Sequence, residues 1–261
     1  MIHLICAENR HLYEPVLGEM HHARNEYFVQ GRGWTNLTVQ DGQELDEYDG
    51  DRAIYLIGFE ADGTIGVSAR LLQADTGCIL ADSFSHLVSE GPVRGEGIYE
   101  LSRYFSSRRR RGPAGFAMRS ALHVATLETM ISRGATRLIG FTDVHIMALF
   151  RYTGWRVRPI GMPADYDEGT AAAFEIGCRP EDLVETRDRL QLFGRQLFEA
   201  PSWLPAGSDV HGLAEATDLI LNAPQAARQT ALSAIREVAA NWAPQGDVAP
   251  LIARLGEREA A

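Results

Sequence analysis

Hydrophobic and polar positions along the chain follow two periods, and their succession predicts a mixed α/β protein. Residues 2–7 form a short apolar run typical of a buried strand, and apolar positions spaced by three or four predict a helix over residues 11–30. Residues 31–50 are polar and end in the acidic "ELDEYDGD". Beyond them, "AIYLIGF" and "TIGVSARLL" flank "EADG", and its Asp62-Gly63 pair is a strong turn signal. We therefore expect a β-hairpin there.

The same mixture continues through the second half of the chain. "CILAD" (78–82) and "GIYELSRYF" (97–105) predict strands, and a helix over 114–133 ends at Gly134. "TRLIGF" predicts a buried strand, "VHIMALFRYTG" a short helix, and "WRVRPIG" and "AAAFEIG" two more strands. "PEDLVETRDRLQLFGRQLF" (180–198) predicts a helix with acidic residues in its first turn.

A change of composition near residue 200 predicts a domain boundary. "EAPSWLPAGSD" (199–209) carries two prolines and a glycine and is typical of a linker. Short alanine-rich helices are expected after it, over 210–222, 225–242 and 247–258. The sequence thus predicts a main domain of residues 1–200 and a helical C-terminal extension of residues 201–261.

The composition narrows the classes of function. With 45% hydrophobic and 23% charged residues, the chain of 261 residues is typical of a globular protein with a substantial core. Its formal net charge of -10 argues against general nucleic-acid binding, which needs many cations. The three cysteines lack metal-ligand spacing, and neither a signal peptide nor a membrane-spanning run is recognised. We expect a cytoplasmic protein with no metal.

The basic stretch before the helix at 114 suggests a phosphate site. Arg109, Arg111 and Gly112 belong to "RRRGPA", which fits Arg/Gln-x-x-Gly-x-Gly/Ala between a strand and a helix. Backbone amides at a helix N-terminus, next to small residues, suit a phosphate group. The pattern is short, so a solvated basic loop is an equal alternative from the motif alone.

Several other positions have an ordinary reading when each is taken by itself. The "ELDEYD" segment would be a solvated turn, Arg24 a surface charge, and Phe28 and Trp34 core aromatics. Glu100 and Arg103 lie three apart on a predicted strand, where their side chains would point to opposite faces unless a bulge intervenes.

Together these positions resemble a known family. Arg24, Phe28 and Trp34, then "ELD" at 44–46 and "YD" at 48–49, then "RLL" at 70–72 and "ELSR" at 100–103 stand in the order and spacing of the LuxI-type acyl-homoserine-lactone synthases. The resemblance covers about residues 1–200. It is thinner at Thr142, near a family position that lines the acyl pocket, because the following Asp143 to Ile146 departs from the usual pattern.

The resemblance implies a GNAT-like three-layer α/β fold with a central mixed sheet. It also implies an enzyme that joins S-adenosylmethionine (SAM), as a substrate and not a cofactor, to an acyl thioester and releases methylthioadenosine. The product would be a quorum-sensing signal. The implied SAM residues are listed here in chain order: Arg24, Phe28, Trp34, Asp46, Asp49 and Arg70.

The remaining implied roles concern the reaction and the acyl donor. Glu100 would be the base and Arg103 would support the thioester, whereas Thr142 would line the acyl pocket. Asp46 and Asp49 would face the amine and the sulfonium or pair with Arg24 and Arg70. The donor would be acyl-CoA or acyl carrier protein, and the net charge of -10 favours acyl-CoA. A GNAT-type N-acyltransferase of another amine is the alternative.

Overall fold

A nine-stranded mixed sheet forms the centre of the protein. The computed structural model describes residues 1–107, 113–166 and 169–222. Its strands in chain order are β1 (Ile2–Ile5), β2 (Val39–Gln40), β3 (Gln43–Glu44), β4 (Ile54–Phe59), β5 (Ile65–Gln73), β6 (Ile98–Ser106), β7 (Arg137–Asp143), β8 (Arg158–Pro159), β9 (Ala164–Tyr166), β10 (Gly169–Gly177) and β11 (Leu197–Glu199). The order across the sheet is β11-β1-β4-β5-β6-β7-β10-β8, with β9 also on β10, whereas β2 and β3 form a separate ribbon.

Helices cover both faces of this sheet. They are α1 (Glu14–Arg24), α2 (Ile79–Asp82), α3 (Pro113–Ser132), α4 (Val144–Phe150), α5 (Pro180–Leu190) and α6 (Val210–Asn222), with a π-helical segment over Asn25–Gly31 and 3-10 turns at Arg10–Leu12, Ser85–Leu87 and Arg151–Thr153. Two apolar clusters mark the two faces. The first contains Leu17 of α1 and Leu213 of α6, and the second contains Leu122 of α3 and Phe150 of α4. The three-layer, GNAT-like α/β fold expected from the sequence is therefore confirmed.

The sheet opens in its middle, between β6 and β7. These parallel strands pair only from Ile98 with Arg137 to Glu100 with Ile139. Farther along, β6 stays on β5 and β7 stays on β10, and no strand among the described residues fills the widening gap between them. The gap gives the interior of the sheet an opening that connects the α1 face with the α3 face.

Strand β6 contains a bulge at Arg103 and Tyr104. Ser68 pairs with Phe105 and Arg70 pairs with Ser102, so a single residue of β5 faces both Arg103 and Tyr104. Arg103 takes a left-handed backbone conformation with φ of 47°, which a non-glycine residue adopts only when its surroundings impose it. The sequence left open whether a bulge intervenes near Glu100 and Arg103, and the structure has one at Arg103 and Tyr104.

Most predicted elements are present, and the exceptions have physical reasons. The hairpin at Asp62-Gly63, the strand at 97–105 and the helix at 114–133 are confirmed. "CILAD" was wrong as a strand, because it forms helix α2. The strand predicted over "WRVRPIG" contracts to Arg158–Pro159.

Two predicted helices are also shorter than the sequence suggested. The helix over 11–30 begins at Glu14 and becomes π-helical after Arg24. The helix over 180–198 ends at Leu190, and strand β11 follows it. Glu128 of α3 accepts hydrogen bonds from the backbone N–H groups of Gln196 and Leu197, so this segment extends along β1 instead of continuing the helix.

The first helix of the predicted C-terminal extension packs on the α1 face. Helix α6 matches the predicted 210–222, and its Val210, Leu213 and Ala214 are buried in the same apolar cluster as α1. The helices predicted over 225–242 and 247–258 lie outside the described residues. The division at residue 200 stays a prediction.

Candidate active site

A cavity of about 950 Å³ occupies the opening between β6 and β7. Its wall draws on both faces of the sheet. On the α1 face the wall includes Phe28, Trp34, Asp46, Tyr48 and Arg103, and on the α3 face it includes Tyr104, Phe116, His123, Phe150 and Phe174. A molecule inside it can therefore contact two chemically different surfaces at once.

Three arginines and three carboxylates form a closed ring of ion pairs beside the cavity. In the order of contact they are Arg24, Glu44, Arg103, Asp46, Arg70 and Asp49, and Asp49 returns to Arg24. We call this set the charge ring. Each arginine joins two carboxylates and each carboxylate joins two arginines, so the formal charges cancel.

Short hydrogen bonds hold the ring. Arg24 donates to Glu44 at 2.5 Å and to both oxygens of Asp49 at 2.7 and 2.9 Å. Arg70 donates to both oxygens of Asp46 at 2.5 and 2.9 Å and to Asp49 at 2.7 Å. Arg103 donates to Glu44 and to Asp46, each at 2.8 Å. Such forked arginine–carboxylate bonds fix orientation as well as charge.

Burial makes the ring a rigid part of the fold. The side chains of Arg24, Arg70 and Glu44 are fully buried, whereas Asp46 keeps 14% of its side chain exposed and faces the cavity. Burial alone would raise the pKa of Asp49, but the hydrogen bond from Arg24 and the charges of Arg70 and Arg24 outweigh it and hold that pKa below its ordinary value. Asp49 therefore stays ionised between its two arginines, and Asp46 and Arg103 are the members of the ring that line the cavity.

Two stacked aromatic rings extend from the charge ring along the cavity wall. Phe28 and Trp34 stack at 4.9 Å with an angle of 23° between their planes, and the guanidinium of Arg103 lies 5.9 Å from the centre of the Phe28 ring. Phe28 comes from the π-helical segment that directly continues α1 after Arg24, and Trp34 follows in the next loop. We call Phe28 and Trp34 the aromatic shelf. Aromatic faces and edges of this kind suit adenine or a sulfonium group.

Glu100 lies behind the cavity wall, beneath helix α2. It is fully buried, and its two carboxylate oxygens accept hydrogen bonds from the backbone N–H groups of Ile79 and Leu80, both at 2.8 Å. Burial raises the pKa of Glu100 to about 7, against the opposing effect of those two hydrogen bonds and of Arg70 and Arg103. The side chain of Ile79 faces the cavity, so Glu100 also positions part of its wall.

The wall on the α3 face is aromatic and carries little charge. Tyr104, Phe150 and Trp155 surround His123, with Trp155 edge-on at 4.6 Å. Burial lowers the pKa of His123 to about 3, so its imidazole is neutral at physiological pH. Thr142 lines the cavity from β7, on the strand that forms one edge of the opening. This surface suits an apolar group.

The structure brings together most of the site residues that the sequence predicted. Phe28, Trp34, Asp46, Arg103 and Thr142 line the cavity. Arg24, Asp49 and Arg70 stand one layer behind it as members of the charge ring, and Glu100 is sealed beside them. Arg109, Arg111 and Gly112 lie outside the described residues, so the phosphate loop stays a prediction.

Two residues that belong to the motifs matched in the sequence were given no role in the site, and the structure supplies one for each. Glu44 closes the charge ring between Arg24 and Arg103, and its place in the acidic segment was the available signal. Ser102 lines the cavity and accepts a hydrogen bond from Arg70 at 3.1 Å. Its position two residues after Glu100, on the same strand face, was the corresponding signal.

Within the part of the chain that the structure describes, no group of three or more His, Cys, Asp or Glu side chains could hold a metal ion. Among the same residues no helix has the length and apolar character needed to cross a membrane.

Comparison with protein families gives one match over most of the chain. The autoinducer synthase model matches residues 8–185. The isovaleryl-homoserine lactone synthase of Bradyrhizobium diazoefficiens is 32% identical over 191 residues, which cover 73% of this chain and 85% of that protein. An acyl-homoserine-lactone synthase of Ralstonia nicotianae is 37% identical over 157 residues, or 58% of this chain and 76% of the relative.

Solved structures with the same fold carry related ligands. A CoA-dependent acyl-homoserine lactone synthase, BjaI, solved with SAM and isopentyl-CoA, superposes with a TM-score of 0.71 at 30% identity, over 77% of this chain and 93% of its own. TofI, solved with an inhibitor and MTA, gives a TM-score of 0.61 at 27% identity, over 74% of this chain and 97% of its own.

Proposed function

This chain belongs to the autoinducer synthase family, and from that premise we propose which substrates its cavity takes and which residues handle them. The reaction is acyl-homoserine-lactone synthesis. The nitrogen of the SAM amine attacks the thioester carbonyl, the C–S bond breaks, and a thiol leaves. The SAM carboxylate then attacks its own γ-carbon, the bond from that carbon to sulfur breaks, and methylthioadenosine leaves with the lactone formed. The product serves quorum sensing.

We place SAM on the α1 face of the cavity. SAM carries an amine, a carboxylate, a sulfonium and an adenine. In this proposal Asp46 attracts the cationic amine or sulfonium, and the aromatic shelf receives the adenine or the sulfonium. Arg24, Asp49 and Arg70 support these groups from behind by holding Asp46 and Arg103 in place. A preformed ring of this kind binds a zwitterion without reorganising when the ligand arrives.

We place the acyl group on the α3 face, beyond the opening between β6 and β7. Arg103 stands at this opening and is suited to the thioester carbonyl, whereas Thr142 and the neutral His123 border the apolar part. The amine and the thioester then meet where the two strands separate. The observation that carries the proposal is this single cavity, which joins a charged wall to an apolar one through the sheet.

The first step needs a base for the amine, and we assign it to Glu100. Its pKa of about 7 suits proton transfer near neutral pH. Because its oxygens face Ile79 and Leu80 and not the cavity, a proton would reach it by a relay or after a shift of α2. Asp46 faces the cavity and is the second candidate.

We further propose a short, branched acyl-CoA as the donor. Support comes from the relative named for isovaleryl transfer and from the CoA-dependent synthase solved with isopentyl-CoA. The aromatic wall on the α3 face, with Tyr104, Phe150 and Phe174, suits a compact branched group. Location in the cytoplasm stays a prediction.

The experiment is a donor comparison on the purified protein. SAM is mixed with isovaleryl-CoA, with isovaleryl-loaded acyl carrier protein, or with straight-chain acyl-CoA of increasing length, and the lactone and methylthioadenosine are measured by mass spectrometry. We expect both products, with the highest kcat/KM for isovaleryl-CoA. Preference for the loaded carrier protein would refute the donor assignment. Acylation of other amines without methylthioadenosine would instead favour a plain N-acyltransferase.

A further inference from the structure

A second polar cluster lies at the far end of the cavity wall, away from the charge ring. Arg32 follows the π-helical segment, Asp143 ends β7, and Tyr166 ends β9. All three residues line the cavity. Arg32 forms an ion pair with Asp143, and the hydroxyl of Tyr166 donates a hydrogen bond to Asp143 at 2.6 Å. Three segments that are distant in sequence therefore meet at one carboxylate.

This cluster is directly connected to the aromatic shelf. The guanidinium of Arg32 lies over the indole of Trp34, 5.1 Å from its centre, and Trp34 stacks on Phe28. Contacts thus run without a break from Arg103 through Phe28, Trp34 and Arg32 to Asp143. One end of this series is fixed by the charge ring, and the other is fixed by the ends of β7 and β9.

Within its own segment Trp34 is held by Phe28, through the stacking of the two rings and a hydrogen bond from the Trp34 backbone N–H to the Phe28 carbonyl oxygen at 3.1 Å. Trp34 is only half-buried, and it lies in a loop between the π-helical segment and the short strand β2. An indole in such a loop keeps a fixed orientation only if neighbours restrict it, and Arg32 restricts it by holding Asp143 across the cavity.

From this geometry we propose that Arg32, Asp143 and Tyr166 form a clamp that positions the aromatic shelf for SAM. The inference rests on the proposed function, because it assumes that the shelf binds SAM. These are positioning residues: they act on the ligand through Trp34. Breaking the clamp should weaken SAM binding, whereas the acyl half of the cavity and the chemical step should change little.

The test measures binding of SAM by calorimetry without an acyl donor, and separately the KM for each substrate. For Asp143→Asn we expect Kd and KM for SAM to rise about 5- to 20-fold, which lies within the range of coupling seen between contacting groups. The KM for isovaleryl-CoA should change less than twofold. Tyr166→Phe keeps the ion pair and should have a smaller effect. The double variant Arg32→Gln/Asp143→Asn should bind SAM with the same Kd as the single variants, because either single change already opens the clamp.

Arg187→Gln is a matched control. Arg187 pairs with Glu128 on the other face of the sheet. The two pairs are equally exposed: the arginine side chain is 27% exposed in Arg187 and 26% in Arg32, and the carboxylate side chain is 8% exposed in both Glu128 and Asp143. It should leave SAM binding unchanged even if it lowers the melting temperature. Wild-type binding retained by Asp143→Asn would overturn the clamp and leave the proposed function standing. If Arg187→Gln weakened SAM binding as much as Asp143→Asn does, the loss would be a general effect of lower stability, and the clamp would be overturned. Absence of SAM binding in the unaltered protein would overturn both proposals.

Discussion

On the α1 face the cavity wall is built from paired charges, whereas on the α3 face it is built from aromatic rings and a neutral histidine. The six members of the charge ring compensate one another, so their burial does not leave an isolated ion. His123 is kept neutral by burial instead. The first wall suits a zwitterionic ligand and the second an apolar chain. The difference predicts that changes in the two walls will affect different substrates.

The largest effect is expected from breaking the charge ring. Arg70→Ala leaves Asp46 and Asp49 buried without the cation that joins them, and removal of one partner from a buried ion pair costs about 3–5 kcal/mol of unfolding free energy. Lactone synthesis should be lost as well, because Asp46 loses its orientation. Urea unfolding and product detection by mass spectrometry measure the two effects.

The control for the ring is an arginine that pairs in solvent. Arg158 bonds to Glu175, and its side chain is 69% exposed. Arg158→Ala should lower the free energy of unfolding by less than about 1 kcal/mol. A similar small loss for Arg70→Ala would mean that the ring is not a structural unit.

The second largest effect is expected from Glu100→Gln, which tests whether Glu100 is the base for the amine. Removing a general base lowers the rate by about 10²-fold or more. In the unaltered protein, kcat/KM should rise with pH through about 7, because the ionised form of Glu100 accepts the proton. The variant should lose that dependence. If Glu100 only holds α2 through Ile79 and Leu80, the rate would fall while the pH profile kept its shape.

The same substitution carries a stability signature with a defined sign. The folded-state pKa of Glu100 lies above its ordinary value of 4.5, so protonation favours the folded protein. Its contribution is fully present below pH 4.5 and is lost as the pH rises through about 7. Glu100 therefore adds a downward contribution to the slope of unfolding free energy against pH in this window, and His123, whose pKa burial lowers to about 3, adds an upward one. Glu100→Gln should make the measured slope more positive than in the unaltered protein. An unchanged slope would contradict the burial of an ionisable Glu100.

How much of this could be read from the sequence depends on how local the cause is. The Asp62-Gly63 hairpin and helix α3 follow from neighbouring residues, and both are present. The helical conformation of "CILAD" depends on Glu100, about twenty positions away, because its carboxylate accepts hydrogen bonds from the first N–H groups of α2. Apolar periodicity cannot report such a partner.

The candidate site divides in the same way. The acidic segment and its arginines were recognisable through their order along the chain, but ordering does not say which charge meets which. Glu44 joins Arg24 to Arg103 only because the ribbon of β2 and β3 folds back toward α1. The contact of Arg32 with Asp143 spans 111 positions and has no local signal. The pairing of Asp46 and Asp49 with arginines, which the resemblance allowed as one alternative, is present. The pairs made by Glu44 and the pair of Arg32 with Asp143 were missed.

The smallest expected effect is on the apolar wall, and it sharpens the contrast with the charged one. Thr142→Val replaces a hydroxyl by a methyl group of similar size at the edge of the opening. One extra or missing methylene in an apolar pocket alters discrimination by about 10- to 200-fold. Thr142→Val keeps the size of the side chain, so the ratio of kcat/KM between isovaleryl-CoA and a straight-chain acyl-CoA should shift less, by about 2- to 10-fold. The KM for SAM should not move, because Thr142 contacts none of the charge ring. A SAM effect as large as the donor effect would show that the two walls do not act separately.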